Sequence, residues 1–423
     1  MPQVIIIFGY NNTRLHDIER IKLLAKNKFN AEIMLCKDQI TQQDTAVSPY
    51  TFSIPLEVAD TVKIEKSIQR IDNFLLANHL EVIGGLPFSD RGIPVGSAFA
   101  QSRNLTSDSS IKDKAFACIN KLLFRQLEQR TASPQWYKKP VFAQLRTIED
   151  AYLFVKTAKR PLLLKPVAEG NSRGCLRINT LEDLDRCHEV LLPYFKKEGV
   201  LAEECIQGYE EFSFDGVANR YVITQKKVLT GQYPVEIQHL VPAALSSDDY
   251  NRLLEAGLHV AQMTGSNGGA VHHEFFFNKQ TKEVYCVEPN RRPAGMNIWD
   301  LIQQAFPEYN FWEMWLEWAV GINPVIPPVK HQYYAGCHKL IAQASGRITQ
   351  VDETAIKAVE AAECLTVKLT KAIGEMVEAN PRDNSQVLGY VTGKSPSMAA
   401  LIQAFEKAAD SVQNAIKLAL DLN

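Results

Sequence analysis

The chain has no long apolar run. Residues 4–8 read VIIIF, but Gly9 and the polar YNNTR stop that stretch at once, far short of the roughly 20 apolar residues that cross a bilayer. It is too short for a secretory leader as well. A surplus of either charge is also missing: 46 Lys and Arg stand against 48 Asp and Glu. That balance argues against a basic nucleic-acid face, yet leaves room for a local basic site that holds phosphate. The eight cysteines include no C-x-x-C pair, so neither a zinc site nor a disulfide framework is expected. They read as small core residues in a reducing cytoplasm.

Familiar catalytic signatures are missing too. No H-E-x-x-H helix is present, and no hydrolase triad presents itself. The first strand turn, FGYNN, has a lone glycine, so the dinucleotide fingerprint is lacking. GYVTGKSP at 389–396 resembles a phosphate-binding loop, but only three residues separate Gly389 from Gly393 where that motif needs four. There is no internal repeat and no low-complexity tract.

What is there has ordinary globular patterning, and 423 residues suffice for about two to four domains. VIIIF, AEIMLC and LEVIGGL read as buried strands. They alternate with helical stretches near RLHDIERIKLLAKN and VKIEKSIQRIDNFLLAN, which predicts a doubly wound parallel sheet over residues 1–108. One helix is predicted over SSIKDKAFACINKLLFRQLEQR, capped by Ser109 or Ser110. Thr180, with Asp183 three residues on, opens another. EEFSFDGVANRYVITQKKVLTGQY alternates like a hairpin, and SDDYNRLLEAGLHVAQMTG like a helix. Residues 109–325 thus form a mixed α+β domain. After the Pro-rich GINPVIPPVK, residues 326–423 form a small α+β domain.

The chemistry concentrates at residues 271–290, VHHEFFFNKQTKEVYCVEPN. Two aromatic-rich runs flank a polar turn, a hairpin pattern. With the turn centred on Thr281, Glu274 lies opposite Glu288 and His272 opposite Asn290, all on one face. A turn centred half a residue away would offset those pairs. Two ionised carboxylates at about 4 Å repel by roughly 4 kcal/mol at an effective dielectric near 20. Something cationic must sit with them. Two readings stay open: an ion network with Arg291 and Arg292, or a divalent ion. Carboxylates plus an amide oxygen are hard ligands that suit Mg²⁺ with phosphate oxygens, and Arg292 would then reach the bound anion.

Upstream, Lys165 sits among leucines in LLLKP and must snorkel or meet an anion. Gly170 and Gly174 bracket Asn171, Ser172 and Arg173, a loop able to bring backbone N–H groups to phosphate oxygens or to serve simply as a turn. Lys114 lies early in a helix, and AEECIQGYEEF joins a strand to a Gly-marked turn.

Taken in order, KDK at 112–114, LLLKP, EGNSRG, AEECI, EEFSFDG, GAVHHEF and VEPNRRPAG resemble the ATP-grasp superfamily, most closely its carboxylate–amine ligases of the L-amino-acid ligase type. The resemblance covers about residues 110–300 and implies a central ATP-grasp fold with a flanking domain on each side. It implies that Lys114 and Lys165 contact nucleotide phosphates and that residues 170–174, with Gly170, Ser172 and Gly174, close over them. Glu203, Glu204 and Ile206 would form the adenine hinge, and Glu211 would hold the ribose. Glu274, Glu288 and Asn290 would bind Mg²⁺, normally two ions, with Mn²⁺ as a substitute. Arg292 would be catalytic, stabilising the transferred phosphoryl group, with His272 and Gly295 beside the carboxylate. An extra residue after Gly208 leaves Glu210 as a second candidate for the ribose, and the adjacent Arg291 and Arg292 compete for the phosphate. The activity implied is ATP-dependent amide or peptide bond formation through an acyl phosphate, releasing ADP, from a small carboxylate and a small amine. The alternatives are a bicarbonate-using carboxylase of the same superfamily and a nucleotide-binding regulator without turnover. No nucleic acid or membrane partner is expected, and family habit implies a homodimer.

Overall fold

The computed structural model describes residues 1–56, 60–158, 161–170, 172–324 and 327–420. Among them the strands form four sheets. The first has the order Tyr50–Ser53, Glu32–Lys37, Gln3–Phe8, Glu81–Pro87, and every pairing is parallel. Its central strand explains the VIIIF run. Ile5 and Ile7 enter one core with Ile18, Ile21 and Trp315, while Val4, Ile6 and Phe8 enter another with Ile64, Ile71 and Phe99. Both faces are buried, so the apolar residues run on without alternation. Helices Leu15–Phe29, Thr61–Ala77 and Gly92–Ser102 cover the two faces. The sheet is doubly wound as the sequence predicts.

The chain packs tightly where Gln3–Phe8 and Glu81–Pro87 end. A Cβ on Gly92 would lie 1.9 Å from the Phe8 carbonyl oxygen, so only glycine fits. This holds the loop carrying Asp90 against the rest of the molecule.

Two further sheets face each other across a cleft. The smaller has the order Phe142–Leu145, Val200–Glu204, Leu162–Pro166, Leu176–Ile178. The larger has nine strands, in the order Leu365–Leu369, Gly389–Ser395, Tyr334–Leu340, Glu236–Val241, Arg220–Val228, Glu210–Val217, Val271–Phe277, Val284–Glu288, Tyr137–Lys138. The predicted hairpin of 210–228 is present. Ala218 and Asn219, both at positive φ, make its two-residue turn, the backbone geometry that matches strand twist. Ser246 caps the helix Ser247–Thr264, and Gly265 closes it in the left-handed region.

The domain boundary expected between residues 325 and 326 lies outside the described residues. Glu236–Val241 and Tyr334–Leu340, on either side of it in the chain, pair antiparallel in the large sheet. The segment that resembles a phosphate-binding loop is a strand of that sheet, Gly389–Ser395. The fourth sheet has the order Met376–Val377, Gly346–Val351, Ile416–Leu420.

One prediction fails locally. The single helix expected across 109–130 is two, Lys112–Ala117 and Lys121–Arg130. Asn120 accepts a hydrogen bond from the Leu123 N–H and starts the second, an N-cap that the apolar periodicity concealed. Neither serine caps the first by its side chain. Among the described residues no helix is long and apolar enough to cross a membrane.

Candidate active site

The cleft between the small and large sheets holds a cavity of about 1040 Å³. Lys165, Glu203, Glu204, Ile206 and Glu211 line it, with Arg125, Lys226, Phe276 and Tyr285. Strand alternation puts Glu211 there. In the ladder Glu211 pairs with Phe276, Ser213 with Glu274 and Asp215 with His272, so these six share one face. The neighbouring Glu210 pairs with Lys279 at 2.8 Å. Both candidates for the ribose line the cleft, but Glu211 is the more enclosed, with 10% of its side chain exposed against 45% for Glu210.

The hairpin brings its acids together. Glu274 is the register partner of Glu288, and the His272 N–H donates to the Asn290 carbonyl at 2.8 Å. The predicted pairs are present, although the turn is not centred on Thr281. Phe275 pairs with Cys286, Phe276 with Tyr285 and Phe277 with Val284, and the register shifts between Glu274 and Phe275. Val287 is the extra residue of a β-bulge, which turns Glu288 onto the face of Glu274.

Cations surround this pair. The Lys226 ammonium lies 2.6 Å from Glu274 Oε1 and 3.2 Å from Glu211 Oε1, and also meets Glu236. His272 bridges Asp215 Oδ1 through Nδ1 at 2.6 Å and Glu274 Oε1 through Nε2 at 3.1 Å. Ser213 and Thr224 hydroxyls each donate to the other Asp215 oxygen at 2.7 Å. Burial alone would favour a neutral His272, but Asp215 and Glu274 reverse that and raise its pKa to about 9, so it is a cation at neutral pH. Burial would likewise keep Glu274 protonated, yet Lys226 and His272 hold its pKa well below the usual range. Burial and the neighbouring acids push Glu211 the other way, above it.

The two arginines divide the work. Arg291 is 1% exposed and turns inward, where its Nη1 donates to the Ser109 carbonyl at 2.9 Å and the Gly265 carbonyl at 3.2 Å. Arg292 faces the cleft acids. Its Nε donates to Asp90 Oδ1 at 2.7 Å, and Glu288 and Glu274 are close enough to help raise its pKa against burial. Gly295 follows at the turn, with no atom within 4 Å of where a Cβ would sit.

Lys165 is buried on its strand with its ammonium on Glu203. Arg125 reaches the same carboxylate through Nε at 2.6 Å and Glu128 through Nη1 at 2.9 Å. Burial opposes ionisation of Glu203, but Arg125 and Lys165 prevail and bring its pKa down to about 2. Glu203 is therefore a counter-ion beneath the cleft. Glu204 Oε1 accepts from the Val141 N–H at 3.1 Å, and Ile206 stands at the cavity rim.

Lys114 is set apart. Its aliphatic stem packs on Gly265, where a Cβ would lie 2.8 Å from Lys114 Cδ. The lysine beside Glu288 is Lys121, with Nζ 3.6 Å from Glu288 Oε2 and a bond to the Glu169 carbonyl. That bond ties it to the loop of Gly170, Ser172 and Gly174; Asn171 lies outside the described residues. Ser172 and Gly174 both have positive φ. A Cβ on Gly174 would approach Tyr194 Cε2 to 2.7 Å and Pro166 Cγ to 2.8 Å.

The donor set fits Mg²⁺. One terminal atom of the Asn290 amide lies 3.0 Å from Asp90 Oδ1, 3.2 Å from the Pro289 carbonyl and 3.3 Å from Glu288 Oε1. As NH₂, with two N–H donors, it has all three acceptors within hydrogen-bond reach. Turned over, the amide would present oxygen to a cation beside the same hard ligands.

Sequence reasoning missed Lys121, Arg125, Lys226, Glu236, Asp215 and Asp90. Asn120 followed by a lysine, with an arginine four residues further on, could have shown a second helix start with two cations on one face. The others come from distant segments and carry no local signal.

Residues 158–300 match the family described as the ATP-grasp domain. The chain is 25% identical over 187 residues to an alanine–anticapsin ligase of Bacillus subtilis, covering 38% of this chain and 39% of that one. It is 26% identical over 177 residues to a D-alanine–D-alanine ligase of Polynucleobacter asymbioticus, covering 39% of this chain and 51% of that one. The chain thus spans about half or less of these curated relatives. An L-amino acid ligase from Bacillus licheniformis has a solved structure that superposes with a TM-score of 0.72 at 16% identity, over 100% of this chain and 99% of that one. The fold is shared along the whole length.

Proposed function

Starting from its ATP-grasp domain, we propose that this chain is an ATP-dependent carboxylate–amine ligase that makes an amide or peptide bond and releases ADP and phosphate. One observation carries the reading. Two facing carboxylates, Glu274 and Glu288, stand with Asn290 and Arg292 beside a cleft of nucleotide size lined by a hinge strand.

Roles follow from position. Adenine would stack in the cavity near Ile206. The Glu204 and Cys205 N–H groups already donate to Val141 and Pro161 carbonyls, so the hinge donor left to the base is Ile206. Glu211 would meet the ribose. Lys165, steadied by Glu203, and Lys121, steadied by Glu288, would neutralise phosphates. In this reading Lys121 takes the place that the sequence suggested for Lys114. The loop of Gly170, Ser172 and Gly174 would close over the phosphates and exclude water. Glu274, Glu288 and Asn290 would hold Mg²⁺, or Mn²⁺ in its place, which would screen the triphosphate and draw charge from the transferred group.

The substrate carboxylate attacks the γ-phosphorus, and the bond to the β–γ bridging oxygen breaks to release ADP. An amine then attacks the acyl phosphate, losing a proton as phosphate departs. Arg292, held by Asp90, supplies a planar fork to the oxygens on which charge gathers. His272 is already protonated between two acids, so it orients Glu274 and the nearby carboxylate instead of taking a proton. Gly295 leaves space beside Arg292 for that carboxylate. The eight cysteines are unpaired, which suits a cytoplasmic location.

The test is phosphate release by purified protein with Mg-ATP and a panel of amino acids and small acids, followed by mass spectrometry of the product. A condensed product with stoichiometric phosphate is expected. ATP binding without turnover for any pair would leave a nucleotide-binding regulator instead.

A further inference from the structure

Lys226 lies in the strand Arg220–Val228, between Glu210–Val217 and Glu236–Val241 in the large sheet. Its side chain is 1% exposed. The ammonium is 2.6 Å from Glu274 and 3.2 Å from Glu211, and bonds Glu236 as well. An ammonium has three donors, and three carboxylates accept them. Among the described residues Glu211, Glu236 and Glu274 are also the group of acids whose ligand atoms all lie within 4.8 Å of one another. Without the lysine, this is where a divalent ion would be drawn.

We infer that the Lys226 ammonium is a resident cation, which takes the place of one of two divalent ions that the hairpin acids could hold. Bound nucleotide is then accompanied by a single divalent ion, at the Glu288–Asn290 end of the site. Two features support this division. Lys226 is held in place, because its side chain is enclosed and its ammonium is bonded by acids of three other strands. A divalent ion among the same three acids would meet a fixed positive charge at contact distance. At the other end, Glu288 has a looser cation partner, Lys121 at 3.6 Å, and the Asn290 amide can turn its oxygen toward an ion. Glu274 meets both by offering Oε1 to Lys226 and His272.

This inference rests on the ligase reading, and the experiment separates the two. Wild-type protein saturated with the non-hydrolysable analogue adenylyl imidodiphosphate is titrated with Mn²⁺, and free Mn²⁺ is followed by electron paramagnetic resonance. One bound Mn²⁺ per nucleotide is expected for wild type and for Lys226→Arg. Two are expected for Lys226→Met, whose folding is checked by its thermal melt. Two Mn²⁺ in wild type overturn the inference even if Lys226→Met does not fold. A folded Lys226→Met that still binds one overturns it as well. No binding of the analogue by wild type overturns the ligase reading and this inference with it.

Discussion

Glu274 and Glu288 face each other across the hairpin because Val287 is an extra residue in one of its strands. Extending the register of the Phe275–Cys286 pair without the bulge would set Glu274 against Val287 and send Glu288 to the opposite face. The bulge therefore creates the acidic pair, and the pair attracts the cations around it. Lys226 and His272 serve Glu274, and Lys121 serves Glu288.

Replacing Glu288 with Gln should remove turnover while leaving the fold intact. Glu288 is partly exposed, and its ion pair with Lys121 is long at 3.6 Å, so its loss should cost less than about 1 kcal/mol of stability. A lost metal ligand should lower ATP-dependent phosphate release by about 100-fold or more. Phosphate release and a thermal melt check the two halves. Full activity in E288Q would sink the metal-site assignment.

Arg291 and Arg292 should respond in opposite ways. Arg292→Lys keeps the charge but loses the fork, so turnover should fall by about 100-fold with little change in Tm. Arg291→Ala removes a buried group that donates to two carbonyls, so it should destabilise by roughly 2–4 kcal/mol. Paired melts and initial rates distinguish them, and equal effects on both readouts would refute the division.

Much of this was legible in the sequence wherever the signal was local. VIIIF announces a strand buried on both faces. The aromatic runs at 271–277 and 284–288 announce a hairpin, and Thr180 with Asp183 announces a capped helix, present as a capping box. The bulge at Val287 left no mark, because a one-residue slip changes no composition. Lys114 and Lys121 look alike as letters near helix starts, and only the break at Asn120 tells which one reaches Glu288. Lys226 was hidden for a different reason. Its three acids come from three other strands, and their convergence is set by sheet order.

The glycine loop should be sensitive to a single methyl group. Gly174 has φ of +69°, and a Cβ there would meet Tyr194 and Pro166 below 3 Å. Gly174→Ala should strain the loop by about 1–3 kcal/mol while the remote core stays packed. The KM for ATP should then rise by about tenfold or more with a small change in Tm. An unchanged KM would show that the loop does not touch nucleotide.

Glu203 should set part of the acid stability. Its folded pKa is about 2 against an ordinary value of 4.5, so the folded state binds the proton more weakly than the unfolded chain. The stabilisation from ionised Glu203 is fully present above pH 4.5 and is lost as pH falls toward 2. A shift of this size corresponds to roughly 3 kcal/mol. Glu203→Gln should lower stability at pH 7, because Arg125 and Lys165 lose their shared counter-ion. The gap between variant and wild type should then narrow steadily from pH 4.5 down to 2. Urea unfolding at a series of pH values measures that gap directly. A gap that stays constant over the window would mean that Glu203 is not the anion beneath Lys165, and the support proposed for the phosphate-binding lysine would fall with it.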